Sequence, residues 1–243
     1  MIGMVLAAGA GRRLAPYTDT LPKTLVPVDG DRTILDIALA NLKAAGLDEI
    51  VVVTGYAAGA VEERKAELEE RHGVRLELVF NPKAEEWNNA YSLWLARDRF
   101  AEGALLVNGD TVHPVAIEHT LLAHRGHGVS LAVDGHRGLT EEAMKVVLDQ
   151  QDQVLRIHKS LSPEQAHGEY LGAAIIEPAV AADLADCLER TWTRDPGLYY
   201  EDGFQLLADR CRAVRAVRVE PVDWVEVDDL ADLSRAREIV CHY

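Results

Sequence analysis

The chain has 243 residues, 48% of them hydrophobic, and its 25 Lys+Arg against 40 Asp+Glu leave a net charge of −15. That length and apolar content suit a single folded domain over residues 1–243 rather than a disordered chain, and the acidity argues against nucleic-acid polymers and anionic membranes, which attract basic surface. No apolar run reaches the ~20 residues of a membrane span, the first arginines follow rather than precede the N-terminal apolar stretch, and Cys187, Cys211 and Cys241 are dispersed without a CxxC, so a cytoplasmic protein with reduced thiols is expected.

Short apolar strands alternate with amphipathic helices along the chain. Residues 2–8 form a continuous apolar run, as expected of a strand buried on both faces. A loop punctuated by Gly9, Gly11, Pro16 and Pro22 follows. Residues 33–45 carry Ile34, Ile37, Ala38, Leu42 and Ala45 at helical spacing, with Gly46 as a cap. Residues 49–54 predict a second buried strand, 58–72 a charged surface helix with a Glu67–Arg71 pair one turn apart, and 75–80 an alternating strand. A helix over 89–98 leads into a strand over 104–108, which ends at Gly109–Asp110.

The second half predicts a helix over 114–124, with proline at a favourable first position, and a strand over 129–133. Paired strands follow over 143–148 and 153–158, then a strand over 170–176. Helices are expected over 178–190 and 203–212, strands over 214–219 and 224–227, and a closing helix over 229–240 capped by Asp228 or Asp229. The first 110 residues therefore read β-α-β-α-β-α-β, a parallel sheet with crossover helices. The later strand pairs make the sheet mixed. No internal repeat, low-complexity tract or linker interrupts the pattern.

Charge is unevenly spread. Residues 1–28 hold Arg12, Arg13 and Lys23 against Asp19 alone, a local balance of +2, so the rest of the chain carries −17. In open α/β sheets ligands lie beyond the carboxyl ends of the strands, where Leu6-Ala7-Ala8-Gly9-Ala10-Gly11-Arg12-Arg13 sits. Glycines let backbone N–H groups approach a phosphate, Arg13 can add a bidentate contact, and Lys23 returns as a second cation. The segment lacks the GxxxxGK[ST] of a Walker loop. Leu14 stands where a dinucleotide G-x-G-x-x-G would need its last glycine.

The run L-A-A-G-x-G-x-R over 6–13, with P-K-T-L-V-P-V over 22–28, resembles the nucleotidyltransferases that activate sugar phosphates and phosphocholine. Arg12 stands where family members usually have Ser or Thr. The resemblance implies a Rossmann-like three-layer α/β domain with a mixed, mostly parallel central sheet, the GT-A-like nucleotidyltransferase fold. It implies a nucleotide site built from Leu6, Ala8, Gly9, Ala10, Gly11, Arg12, Gly55, Asn88 and Ser92, with Arg13 and Lys23 as catalytic cations. It also implies Mg2+ held by Asp110 and Asp228, each at a strand end and each otherwise readable as a turn residue or a helix cap.

Asn81–Pro82 followed by W-N-N-A-Y-S-L over 87–93, A-M-K-V over 143–146, Ile157-x-Lys159 and G-E-Y-L-G over 168–172 resemble the phosphocholine-type cytidylyltransferases and the related inositol-phosphate and phosphonate enzymes. CTP is then the expected donor and a small phosphorylated or phosphonate compound the acceptor, with phosphocholine or an aminoalkyl phosphonate favoured. Lys145 and Lys159 would face the acceptor phosphate, together with Glu169, Tyr170, Tyr200 and Glu201. Trp87, Tyr91, Trp94, Tyr170, Trp192, Tyr199, Tyr200 and Trp224 offer aromatics for a cation cage with Glu169, Glu201 and Asp202; two or three rings at most are expected in it, the alternative being that most are ordinary core, as Trp94 reads. The alternative is a sugar-1-phosphate or inositol-phosphate nucleotidylyltransferase using UTP, dTTP, GTP or CTP. A homodimer stays open.

Overall fold

The computed structural model describes residues 1–241 apart from residues 127 and 212. In chain order the strands are β1 (Ile2–Ala7), β2 (Pro27–Asp29), β3 (Arg32–Thr33), β4 (Glu49–Thr54), β5 (Arg75–Phe80), β6 (Ala104–Asn108), β7 (Thr111–Val112), β8 (Val129–Asp134), β9 (Lys145–Leu148), β10 (Val154–His158), β11 (Gly168–Ile176), β12 (Val214–Arg218) and β13 (Val225–Glu226). The helices are α1 (Ile34–Ala44), α2 (Ala58–His72), α3 (Asn89–Leu95), α4 (Ala116–Ala123), α5 (Ala181–Arg194), α6 (Tyr200–Cys211) and α7 (Leu230–Val240). The helix expected over 203–212 begins three residues earlier, and its expected end at Arg212 lies outside the described residues. The helix expected over 89–98 closes at Leu95 and passes into a 3-10 turn over Arg97–Glu102.

Nine of the described strands form one mixed sheet in the order β10-β9-β11-β6-β1-β4-β5, with β8 pairing β11 and β12. The β5-β4-β1-β6 half is parallel, as the alternating first half of the sequence requires. From β6 onward β11 turns the sheet antiparallel and carries β9 and β10 with it.

Successive side chains of a strand point to opposite faces, and the two faces fill different cores. Met4, Val51, Val53, Leu106 and Ala174 pack with α3, α5 and α6 through Leu93, Leu188 and Phe204. Val5, Val52, Leu105, Val107 and Ile175 pack with α1, α2 and α4 through Leu39, Val61 and Leu121. This is why the central strands read as unbroken apolar runs, and it makes the expected three layers.

A third core sits beside the sheet and positions the chemistry. Leu14, Val26, Val28, Ile34, Val112, Val225, Val227 and Leu233 pack the loop after β1 against the β7–β13 pair and α7. In that pair Glu226 lies opposite Thr111, and the Val227 N–H donates to the Asp110 carbonyl at 2.8 Å. A two-stranded ribbon thus brings Asp110 and the Glu226–Asp228 segment to one end of β6. Asp229 caps α7 through a capping box with Asp232, which leaves the Asp228 side chain free to face the cleft.

Candidate active site

An open cleft lies over the carboxyl ends of β1 and β6. Leu6, Ala8, Gly9, Arg13, Asn88, Ser92, Asn108 and Asp110 line its first half. Met144, Lys159, Tyr170, Tyr199, Glu201, Glu226 and Asp228 line its second.

In the first half the loop is held from beneath. Gly11 is left-handed (φ +62°), and a Cβ there would stand 2.8 Å from the Cβ of Lys23, so glycine is what lets the lysine stem pass. The Gly11 carbonyl accepts from the Thr18 hydroxyl at 2.9 Å. Gly55 lies behind the cleft wall. A methyl at Gly55 would meet Ala84 Cβ at 2.3 Å and the Ala8 carbonyl at 2.8 Å, so this glycine sets the position of two lining residues. Ser92 Oγ accepts from Asn81 Nδ2 at 2.8 Å. Asn88 caps α3 and donates to the Gly197 carbonyl at 3.0 Å.

Lys23 Nζ donates to Asp110 Oδ2 at 2.8 Å and to Asp228 Oδ1 at 2.7 Å. Arg13 reaches the other oxygen of Asp228 at 2.8 Å. Burial alone would lower the lysine's pKa, but Asp110 and Asp228 overcome it and hold the ammonium well above its ordinary value. Asp228 shows the reverse balance: burial opposes its charge, and Lys23 and Arg13 carry it below the usual carboxylate range.

One oxygen from each of Asp110, Glu226 and Asp228 lies within 4.8 Å of the others. Burial, then the charges of Asp110 and Asp228, push Glu226 up to about 7. Asp110 Oδ1 is buried with no hydrogen-bond partner. An all-carboxylate oxygen set with an orphaned buried acceptor suits a hard divalent cation such as Mg2+. Glu226 is thus a third acid of this cluster, beyond the Asp110–Asp228 pair expected from sequence. Its place is set by the two-residue β7–β13 ribbon.

At the other end Glu201 is 5% exposed, and burial pushes its carboxyl up to about 8. Its Oε2 has no hydrogen-bond partner. The Lys159 ammonium stands 5.4 Å from the Tyr199 ring centroid.

Several expected contacts are corrected. Lys145 does not line the cleft: its ammonium is buried and donates to the carbonyls of Glu141, Ala143 and Lys159 at 2.8, 3.1 and 2.5 Å, which consumes its donors in tying the loop before β9 to the end of β10. Arg12 is exposed and pairs with Glu85 at 3.5 Å, away from the cleft lining. Ala10 and Gly11 shape the loop without lining the cleft. Glu169 lines an adjoining chamber with Arg137 and Trp224 that meets the cleft at Lys159, Glu226 and Asp228.

Tyr200 stands behind the wall and reaches it through Tyr170 and Asn108. Trp87, Tyr91, Trp94 and Trp192 pack on one another at centroid distances of 4.9 to 5.7 Å, so of these four only Trp87 lines the cleft. Trp224 donates to Asp134 at 2.9 Å. Asp202 accepts from the Tyr199 N–H at 2.9 Å. The rings facing the cleft are therefore Trp87, Tyr170 and Tyr199.

A glycine loop with Arg13, the Lys23 that follows it, three clustered carboxylates at strand ends and a cleft thus share one end of the α/β sheet. Residues 2–145 match the nucleotidyl transferase family, more than half of the chain, and the chain belongs to that family. It is 31% identical over 246 residues to the CMP-5'-(3-aminopropyl)phosphonate synthase of Streptomyces rubellomurinus, an alignment covering 96% of this chain and 38% of that protein. It is 37% identical over 106 residues to the choline-phosphate cytidylyltransferase of Streptococcus pneumoniae, covering 44% of this chain and 43% of that one. The matches thus span about two fifths of those relatives' length.

Among solved structures, the inositol-1-phosphate CTP transferase from T. maritima superposes with a TM-score of 0.83 at 23% identity, covering 98% of this chain and 94% of that one. The CTP:phosphocholine cytidylyltransferase from Streptococcus pneumoniae gives 0.74 at 22%, covering 98% of both chains. At these identities the likeness establishes the fold. Among the described residues no helix is long and apolar enough to cross a membrane.

Proposed function

We propose that the chain transfers a cytidylyl group from CTP to a small phosphate or phosphonate acceptor with a cationic head group, releasing pyrophosphate. The observation that carries this reading is the continuity of one cleft, from Gly9 and Arg13 past the three acids to Glu201. Names of several relatives, among them cytidylyltransferases for choline phosphate and 2-aminoethylphosphonate, support the donor and the acceptor class. Glu201 supports a cation specifically, since a buried acid with an unpartnered oxygen gains from an ammonium that lets it ionise.

An acceptor oxygen attacks the α-phosphorus of CTP as the bond to the pyrophosphate oxygen breaks. A phosphate monoester has a second pKa near ~6 and is largely a dianion at neutral pH, so the enzyme need not supply a base. The work of the chain is positioning and charge neutralisation. The loop N–H groups and Arg13 hold phosphate oxygens, Lys23 adds a point charge, and Lys159 orients the acceptor's phosphate. Asp110, Asp228 and Glu226 would hold Mg2+, which when bound neutralises charge on the triphosphate.

Pyrophosphate release, measured for CTP, UTP, dTTP, ATP and GTP against phosphocholine, phosphoethanolamine, 2-aminoethylphosphonate, inositol 1-phosphate and glucose 1-phosphate, tests the reading. CTP with a cationic acceptor is the expected pair. A preference for UTP, dTTP or GTP, or for an uncharged sugar or inositol acceptor, overturns it.

A further inference from the structure

Lys23 stands where the clustered acids converge. Its backbone N–H donates to the Gly9 carbonyl at 3.4 Å, its stem lies against Gly11, and its head bridges Asp110 and Asp228 at 2.8 and 2.7 Å. The same two carboxylates, with Glu226, make up the candidate cation cluster. One side chain therefore joins the Gly9 loop to the acids, with 10% of it accessible.

We propose that the Lys23 ammonium is the resident counter-ion of this cluster and gates it: a divalent cation enters together with nucleotide phosphate rather than ahead of it. The inference rests on the reading that Asp110 and Asp228 hold a divalent ion. Without a cation the acids would repel one another at short range, and Lys23 supplies the positive charge that lets them sit together. A dication arriving alone would meet that ammonium about 3 Å from its ligands and be repelled by it. A triphosphate on the loop gives Lys23 a second anion within reach of its four-carbon stem. The head can then move from carboxylate to phosphate, and the acids are released to the dication that neutralises the same phosphates. Lysine suits this exchange because it is a mobile point charge, whereas the fixed fork of an arginine would hold both carboxylates bidentately.

The test is Mn2+ binding to the full chain without nucleotide, read from the electron paramagnetic resonance of free Mn2+ and from thermal melting. Lys23→Met and Lys23→Gln are expected to bind Mn2+ at least ~10-fold more tightly than the wild type, the scale of removing one like charge at this distance. Mn2+ should also raise the melting temperature of both variants more than that of the wild type, a readout that survives partial unfolding of the metal-free variants. Adding Asp228→Asn to Lys23→Met should remove the gain. Equal Mn2+ affinity in the wild type and both neutral variants, with Asp228→Asn weakening binding in each, overturns the gate and leaves the metal site standing. Mn2+ binding that ignores Asp110→Asn and Asp228→Asn in every background overturns the metal reading and the gate with it.

Discussion

The Tyr200 hydroxyl lies 3.1 Å from the Tyr170 hydroxyl, and this pair ties α6 to β11 beneath the acceptor end of the cleft. Tyr200 can donate its single proton to Asn108 Oδ1, 2.8 Å away, while accepting from Tyr170. Both tyrosines are buried, and burial pushes each phenol well above its ordinary pKa, so they stay neutral donors through the working pH range. Tyr200→Phe keeps the ring packing and strands the buried Tyr170 hydroxyl and the half-buried Asn108 amide, at a cost of ~1–3 kcal/mol. The expected outcome is a lower melting temperature and an acceptor KM raised several-fold, with CTP KM little changed. Equal effects on both substrates would place Tyr200 outside the acceptor wall.

Gly172 makes the same wall fragile from the other side. It sits in β11 at φ +85°, and an added Cβ would stand 2.7 Å from Asn108 Nδ2. Gly172→Ala must strain its backbone or displace Asn108, at ~1–3 kcal/mol, and kcat/KM should fall with stability. Gly9 is the contrast, since its Cβ would meet nothing within 4 Å. Gly9→Ala should leave the melting temperature unchanged and raise CTP KM, because its methyl occupies the face where phosphate oxygens would approach.

The first half of the fold was legible because a strand buried on both faces must be apolar through its middle, as residues 50–53 of β4 and 104–107 of β6 are, and as β1 is along its length. Asp110 and Asp228 were legible as strand-end acids, and the family resemblance is what set them apart from a turn residue and a helix cap. The ribbon that joins them was only half legible, since β7 has two residues and no period can be read from two. Lys145 misled because a strand lysine reads the same whether its ammonium reaches a ligand or is spent on backbone carbonyls around it. Tyr91 and Trp192 misled because nearness in sequence does not say which ring faces the cleft: both spend their faces on each other and on Trp94, which packs against the core as its sequence reading expects. The buried, proton-holding state of Glu201 depends on packing around α6, which no local spacing encodes.

That state makes Glu201 a pH-dependent element of stability. Its folded pKa of about 8 lies above the ordinary 4.5 because burial disfavours the charge. Its favourable contribution is therefore complete below about 4.5 and declines as pH rises through about 8, where the fold must bury an anion. Glu201→Gln mimics the neutral form. In denaturant unfolding it should match the wild type near pH 5 and exceed it at pH 9 by roughly 2–4 kcal/mol. A variant less stable than the wild type at every pH would mean that the folded protein pairs the carboxylate with a cation.

Asp36 carries the opposite sign and lies away from the cleft. Its fully buried carboxylate accepts from the Thr33 N–H and hydroxyl at 2.9 and 2.6 Å and contacts His72 Nε2 at 2.8 Å, joining the start of α1 to the end of α2. Burial would raise its pKa, but His72 and Thr33 overcome it and hold it well below the usual range. Its contribution is present above the ordinary 3.8 and is lost as pH falls through the depressed folded value. Asp36→Ala removes the capping box and the interhelical tie, and should cost about 2–4 kcal/mol at pH 7. Turnover per folded molecule should not change, since none of these groups lines the cleft. A loss of turnover at full folding would show that α1 positions the loop more tightly than its packing suggests.

Lys23 and Arg13 both pair with Asp228, yet they should not be equivalent. The Arg13 side chain is 66% exposed and that of Lys23 is 10% exposed, so water screens the first far more than the second. A preorganised charge in a site sheltered from water is worth most in the transition state, when charge shifts onto the departing pyrophosphate. Lys23→Ala should lower kcat by at least ~100-fold, the scale of losing one such stabiliser. Arg13→Ala should act more through CTP KM, by roughly tenfold. The lysine variant should lose turnover while gaining affinity for a divalent cation. A general collapse of the site would lower both, so the opposed directions identify the ammonium itself as the acting group. Normal turnover in Lys23→Ala would remove it from the mechanism.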